Sequence, residues 1–333
     1  MGSRAFYKCQ YGLETFATHG TAVAATKKFL GSFSVPEDIA PVYPDYNLSV
    51  RAKAAESHIL QYLADPISLN VENGYFQALP ALLSTVLKGA ITPTETTADQ
   101  DDYLWTFDPS LTVAGDTLDS LTIEFGDDDQ EYESEYCIGK SFSMKGALGG
   151  NSPVSLGWEG FGRKVAKSTF TSLTNPTVEP MAANMAQLYI DTLWADVGET
   201  AQTGLLRDFD FQVMNGAHPK FMGASKEFTS YGQSYLEAML TLTIEGGADA
   251  VALYDLYRSR ARRAVQLKVT GSQIGTGTTH SIMVNLFGDV EKAVPLSGDA
   301  DGNTLYQVSF HGLFDPTASD MIEVKVTTNS ATV

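Results

Sequence analysis

Apolar and polar residues alternate along two stretches of the chain, and the two stretches match. Residues 61–74 read QYLADPISLNVENG and residues 234–247 read SYLEAMLTLTIEGG, aligned without a gap 173 residues apart. Tyr62, Leu63, Leu69, Glu72 and Gly74 recur as Tyr235, Leu236, Leu242, Glu245 and Gly247, while Ile67 and Val71 become Leu240 and Ile244. Self-similarity of this kind is the mark of a duplicated folding unit. A period of two predicts a strand with one buried and one polar face. In both copies the polar face carries small or acidic groups: Ser68, Asn70 and Glu72 in the first, Thr241, Thr243 and Glu245 in the second.

Both copies then change period. After Gly74, the residues Phe76, Leu79, Leu83 and Val86 fall at helical spacing, with Pro80 in the first turns, where a missing N–H costs least. After Gly247, Val251, Tyr254 and Ala261 predict one face of a second helix. Further alternating stretches predict strands at 119–126, 205–213, 265–270 and 321–327. Trp158, Glu159, Gly160 and Phe161 line up with Phe310, His311, Gly312 and Leu313. An alternating segment precedes each, with Phe142 and Met144 in one and Val284 and Leu286 in the other. Residues 92–102 are polar and read as a loop, and the Ser, Thr, Asn and Pro residues of 168–180 read as a connector. The expected fold class is mainly β. Two tandem homologous β-sandwich or barrel domains are expected, each with one flanking α-helix: residues 1–175, an N-terminal arm plus the first domain, and residues 176–333, the second.

Composition adds limits. Apolar residues are 43% of the 333, enough for each half to bury a core of its own, and charged residues are only 19%. With 22 Lys and Arg against 40 Asp and Glu, the net charge is −18, which argues against a surface that grips phosphates and favours one that repels polyanions. Cys9 and Cys137 form neither a disulfide framework nor a C-x-x-C pair, so synthesis in a reducing cytoplasm is expected. No apolar run reaches the ~18 residues of a membrane-spanning helix, and residues 1–10 lack the apolar centre of a signal peptide. Lysine is scarce along the predicted strands, Lys268 and Lys325 excepted. Open sheets expose unpaired N–H and C=O groups, and nothing in these strands reads as a defence of their edges, so neighbouring chains are expected to complete them.

One family accounts for the order of these parts. The segment YGLETFATHGTAVAATKKFL, residues 11–30, resembles the GxET-x-x-GT-type start of the tail tube (major tail) proteins of long-tailed bacteriophages. The next parts resemble that family in their order: an arm with Pro36, Pro41 and Pro44, a strand ending in Asn73-Gly74, an apolar helix, then SLTIEFGD at 120–127. The ending, YQVSFHGLFD at 306–315 and then IEVKVTT, resembles that family's second domain. The resemblance covers nearly the whole chain and rests on order and duplication rather than on any single motif. It implies a structural subunit, not an enzyme, with no cofactor and no metal. Inner sheets would pair around a ring into a continuous β-barrel, and stacked rings would form a tube that DNA passes through without specific binding. Two tube domains in one chain imply a homotrimer with pseudo-sixfold symmetry, a hexamer being the alternative. The tape measure protein and the tail terminator and tip proteins are the implied partners, and the virion tail, assembled in the host cytoplasm, is the implied location.

On that reading Ser68, Asn70, Glu72, Thr241, Thr243 and Glu245 face the lumen. Two like charges ~10 Å apart in water repel by only about 0.4 kcal/mol, and salt screens beyond ~8 Å. A smooth repulsive wall therefore needs repeated rings of carboxylates with no lysine among them. The acidic run GDDDQEYESEY, residues 126–136, offers Asp127, Asp128, Asp129, Glu131 and Glu133. It reads as a solvated hairpin, a divalent-cation site, or a dock for a neighbour's Arg258, Arg260, Arg262 and Arg263. Asp299 opens a calcium-loop-like run, but Thr304 and Phe310 stand where such a loop needs Gly and Glu, which leaves an Asp-Gly hairpin turn. The five histidines are scattered and no G-x-S-x-G occurs. The competing function is a β-sandwich adhesin or carbohydrate-binding module on a virion or cell surface, which calls for an aromatic-lined groove.

Overall fold

The computed structural model describes residues 7–46, 49, 51–52, 56–112, 115–127, 129–150, 152–300 and 302–333. It is mainly β, with large antiparallel sheets. The first half runs β1 (Lys8–Glu14), β2 (Lys27–Lys28), β3 (Ser32–Ser34), β4 (Asp38–Val42) and β5 (His58–Val71) into the short helix α1 (Leu79–Ser84). It continues through β6 (Thr94–Glu95), β7 (Tyr103–Phe107), β8 (Ser120–Gly126), β9 (Glu131–Ala147), β10 (Ser155–Gly162) and β11 (Val165–Ser168). A stretch without regular secondary structure at 169–179 leads to β12 (Ala186–Asp191), β13 (Ala201–Gln202), β14 (Leu206–Met214), β15 (His218–Lys220), β16 (Ser230–Gly232) and β17 (Glu237–Glu245). The helix α2 (Ala248–Ser259) comes next, then β18 (Arg263–Gln273), β19 (Thr279–Ala300), β20 (Asn303–Gly312) and β21 (Ile322–Thr328).

Two long strands, β9 and β19, each serve two sheets. The first part of β9 lies between β8 and β11, and its second part lies between β10 and β14. The first part of β19 lies between β18 and β21, and its second part pairs with β20. The result is one long sheet in the order β3, β5, β10, β9, β14, β17, β20, β19, backed by two outer sheets. One outer sheet centres on β8 and the other on β18. Apolar residues of the long sheet's inner face, such as Leu69, Trp158, Phe142, Phe211, Leu240 and Phe310, are buried against these layers.

The halves share their main core, contrary to the expectation of one core each. A single apolar cluster contains residues from both. Three features fuse them: β14 bonds to β9, β7 adds to the edge of β21, and every residue of α1 is buried. Phe76, just before α1, packs against His280 of the second half at 5.7 Å. The helix α1 is thus a core element rather than a flanking one. The second helix lies on the surface, where its buried residues are Ala250 and Leu253, with Leu256 and Tyr257 packed alongside. This stripe is set off from the expected Val251, Tyr254 and Ala261: Val251 is exposed, and the helix ends before Ala261, at Arg260 with φ 55°.

The strand register also amends the repeat. Trp158 faces Leu69, whereas Phe310 faces Leu240. Leu240 is the repeat mate of Ile67, so the two sequence matches differ by two residues. A slide of two leaves every side chain on its own face of the sheet, and the hydrophobic pattern tolerates it. Val290 and Ala293, not Val284 and Leu286, stand beside β20 where Phe142 and Met144 stand beside β10. Contrary to expectation, the edges carry defences. Lys292 and Pro295 lie on the second part of β19, and Pro41 lies on β4.

Candidate functional site

The face of the long sheet that points away from the core is mostly polar, with Met214 and Met239 exposed among the polar groups. On β5, Ser68 and Asn70 stand opposite Glu159 and Gly157 of β10, which in turn face Ser141 and Ser143 of β9. Lys145 of β9 faces Asp210 of β14, and Asp210 faces Thr241 of β17. Thr241 and Thr243 then face Ser309 and Gln307 of β20, with Thr241 and Ser309 hydroxyls 3.0 Å apart. Five of the six lumen candidates therefore share one continuous surface, since residues directly opposite one another lie on the same face. The sixth, Glu72, is exposed just past the end of β5.

Three of the charges on this face are already matched. The Arg207 guanidinium donates from Nε and Nη2 to Glu245 at 2.9 and 2.5 Å, and Lys145 Nζ lies 3.0 Å from Asp210. A wall of free carboxylates without lysine is not what the face presents. Glu72, Glu159 and Glu237 remain exposed, and no ion pair holds them among the described residues.

The acidic run and the arginines stay apart within the chain. Asp127 accepts the Asp129 and Gln130 N–H groups at 3.0 Å and so closes the β8–β9 turn; Asp128 lies outside the described residues. Glu131 accepts the Phe170 N–H at 2.7 Å, and Glu133 accepts the Ser168 hydroxyl at 3.3 Å. Arg260 pairs with Asp289 at 3.3 Å and donates to the Val290 carbonyl, and Arg263 donates to the Arg262 carbonyl. Arg258 and Arg262 are not buried. Among the described residues no group of three His, Cys, Asp or Glu side chains is placed to hold a metal, and no helix is long and apolar enough to cross a membrane. The Asp299 run is a hairpin turn, with the Gly302 N–H donating to Asp299 at 2.9 Å.

Two buried carboxylates escape any reading by pattern, and both anchor coil against the outer sheet. Glu14, from the GLET motif, accepts from the Gly20 and Tyr136 N–H groups at 2.9 Å and from the Ser120 and Thr122 hydroxyls at 2.7 Å. Glu124, from SLTIEFGD, accepts from Gln10, Ala25 and both donors of Thr171. Burial raises its pKa, but these hydrogen bonds outweigh burial and hold the carboxyl below its ordinary value. Alternation alone would point Glu124 to solvent; the segment before β2 and the connector cover that face instead.

The junction between the halves is covered by the hairpin of β15 and β16. Its Phe228 is fully buried, with ring centroids 4.8 Å from Tyr136 and 5.3 Å from Phe161. Arg163 lies over both Tyr136 and Phe228, Lys164 meets Glu227 at 2.7 Å, and the Tyr62 N–H donates to the Lys226 carbonyl at 3.0 Å. An open groove of about 1100 Å³ runs beside this hairpin, with Phe16, His19, Tyr231, Tyr235 and Phe314 along it. Compared with models of known protein families and with the sequences of curated proteins, the chain matches none.

Proposed function

We propose that the chain is a structural subunit of the tail tube of a long-tailed bacteriophage, not an enzyme. One observation carries the reading: a long antiparallel sheet with a largely polar outward face and, among the described residues, an unfilled strand edge at each end. Such a sheet is suited to continue into identical sheets until a ring closes, because closure removes both edges. The order β8, β9, β10, β5 recurs as β18, β19, β20, β17, which supports two tandem tail-tube domains, residues 1–175 and 176–333, and hence a homotrimeric ring of pseudo-sixfold symmetry. The polar face, with Ser68, Asn70, Glu72, Thr241, Thr243 and Glu245, lines the lumen on this reading. DNA slides past hydroxyls, amides and a modest acidic excess without being held. Rings stack into the virion tail around a tape measure protein, capped by terminator and tip proteins.

The groove supports a second reading, an adhesin or carbohydrate-binding module, because exposed aromatic rings such as Phe16 and Tyr235 stand along it. Negative-stain microscopy of the purified chain separates the two. Rings or striated hollow tubes with a central channel are expected. Discrete particles that bind glycans on an array, with no ring at any concentration, would replace the first reading with the second.

A further inference from the structure

The junction inside the chain is a template for a contact between chains. At the junction, β14 fills the space between β17 and the second part of β9. At the ends of the long sheet, β3 and β4 bond only to β5, and the second part of β19 bonds only to β20, among the described residues. The positions correspond one by one. Phe211 pairs with Leu240, which pairs with Phe310; Phe33 pairs with Leu69, which pairs with Trp158. Phe33 therefore holds in the first half the place of Phe211 in the second. Met144 pairs with Leu156 beside Trp158, and Ala293 pairs with Val308 beside Phe310, so Ala293 holds the place of Met144.

Phe211 lies directly opposite Met144. Resting on the reading of the chain as a ring-forming subunit, we infer that β3 of one copy pairs antiparallel with β19 of a second copy, with Phe33 opposite Ala293, Ser32 opposite Val294 and Ser34 opposite Lys292. The faces agree, since Phe33 and Ala293 both pack toward the core of their own chain. Pro36 and Pro295 bracket the paired stretch, so it is short and resists sliding.

Two further contrasts point to the same partner. The hairpin of β15 and β16 buries Phe228, while its counterpart arm, β4 with the start of β5, leaves Val42, Tyr43, Tyr46 and Leu60 between 42% and 62% exposed. The helix α1 is wholly buried, while α2, packed beside β19, leaves Val251 exposed. Both are the unmet halves of contacts the chain already makes once.

Paired cysteines test the register. Cys9 and Cys137 are buried and unpaired, so new surface thiols react alone. Directly opposed residues place Cβ atoms ~4.5–5.5 Å apart and diagonal ones ~7–8 Å apart, and a disulfide requires the shorter spacing. Ser32→Cys with Val294→Cys, and separately Ser34→Cys with Lys292→Cys, should give covalent multimers on oxidation. The diagonal pair, Ser34→Cys with Val294→Cys, should yield at least about tenfold less, and each single variant no species larger than a dimer. Both in-register pairs lie on the polar face, and circular dichroism checks that they fold. Rings or tubes without in-register links overturn the edge pairing and leave the tube reading standing. Preferential linking of the diagonal pair overturns the register. A chain that forms neither rings nor links overturns both.

Discussion

At the middle of the long sheet and at its two ends, the same parts occur with different neighbours. In the middle, β9 is bonded on both sides, Met144 is fully buried, Phe228 sits between Tyr136 and Phe161, and α1 has no exposed residue. At the ends, the second part of β19 has one bonded side among the described residues, Leu296 is 72% exposed, Tyr43 and Leu60 face solvent, and α2 is half bare. The difference does not come from the strand pattern, which is shared. It comes from the neighbours: the central strand is bonded on both sides, and the end strands on one side only among the described residues.

The largest effect expected from breaking this comparison is at Phe228. Phe228→Ala should cost about 3–5 kcal/mol, the usual range for emptying a buried aromatic site, and should expose residues 215–232 to protease. Tyr43→Ala, on the counterpart arm, should leave the isolated chain within about 0.5 kcal/mol of wild type and reduce ring formation instead. Denaturant titration read beside microscopy separates the two outcomes. Next come the helices: Leu82→Ala in α1 should cost about 2–5 kcal/mol, and Val251→Ser in α2 less than about 0.5 kcal/mol. A loss at Val251 as large as that at Leu82 would show that α2 is already part of a closed core.

Smaller effects belong to charge. Glu124 and Glu133 lie opposite each other on β8 and β9. The Glu124 carboxyl is held below its ordinary value by its hydrogen bonds, despite burial. Its stabilising share is therefore full above the unfolded value of about 4.3 and disappears as pH falls through the folded one. Glu124→Gln should flatten the acid side of the stability curve, read as unfolding midpoints over pH. Burial raises Glu133, with repulsion from Glu124 adding to it. Ionising it costs stability as pH rises past about 4.3, so Glu133→Gln should raise the midpoint at neutral pH. The smallest change is expected for Lys145→Ala, whose pair with Asp210 is half exposed and contributes about 0–1 kcal/mol at most.

Local periodicity makes much of this fold legible. The strands expected at 119–126, 205–213 and 321–327 lie at Ser120–Gly126, Leu206–Met214 and Ile322–Thr328, and residues 169–179 of the connector carry no helix or strand. The lumen candidates on β5 and β17 share a face because alternation is a property of each strand alone. The features that escape it depend on distant contacts. No local pattern says that β7 completes the sheet of β21, or that α1 is buried in the core instead of lying on a flank. The two-residue slide between repeats is invisible to it because the slide preserves alternation. The partners of Glu245 and Lys145 come from neighbouring strands whose order the sequence does not state.

The connector at 169–179 has a kinetic consequence. Because it ties β14 to the same molecule as β9, that contact forms at an effective local concentration of millimolar order for a short tether, and dilution does not weaken it. In a ring of such double units, half of the contacts are complete as soon as each chain folds. Closure of such a ring would wait on half as many encounters as a ring of single units needs.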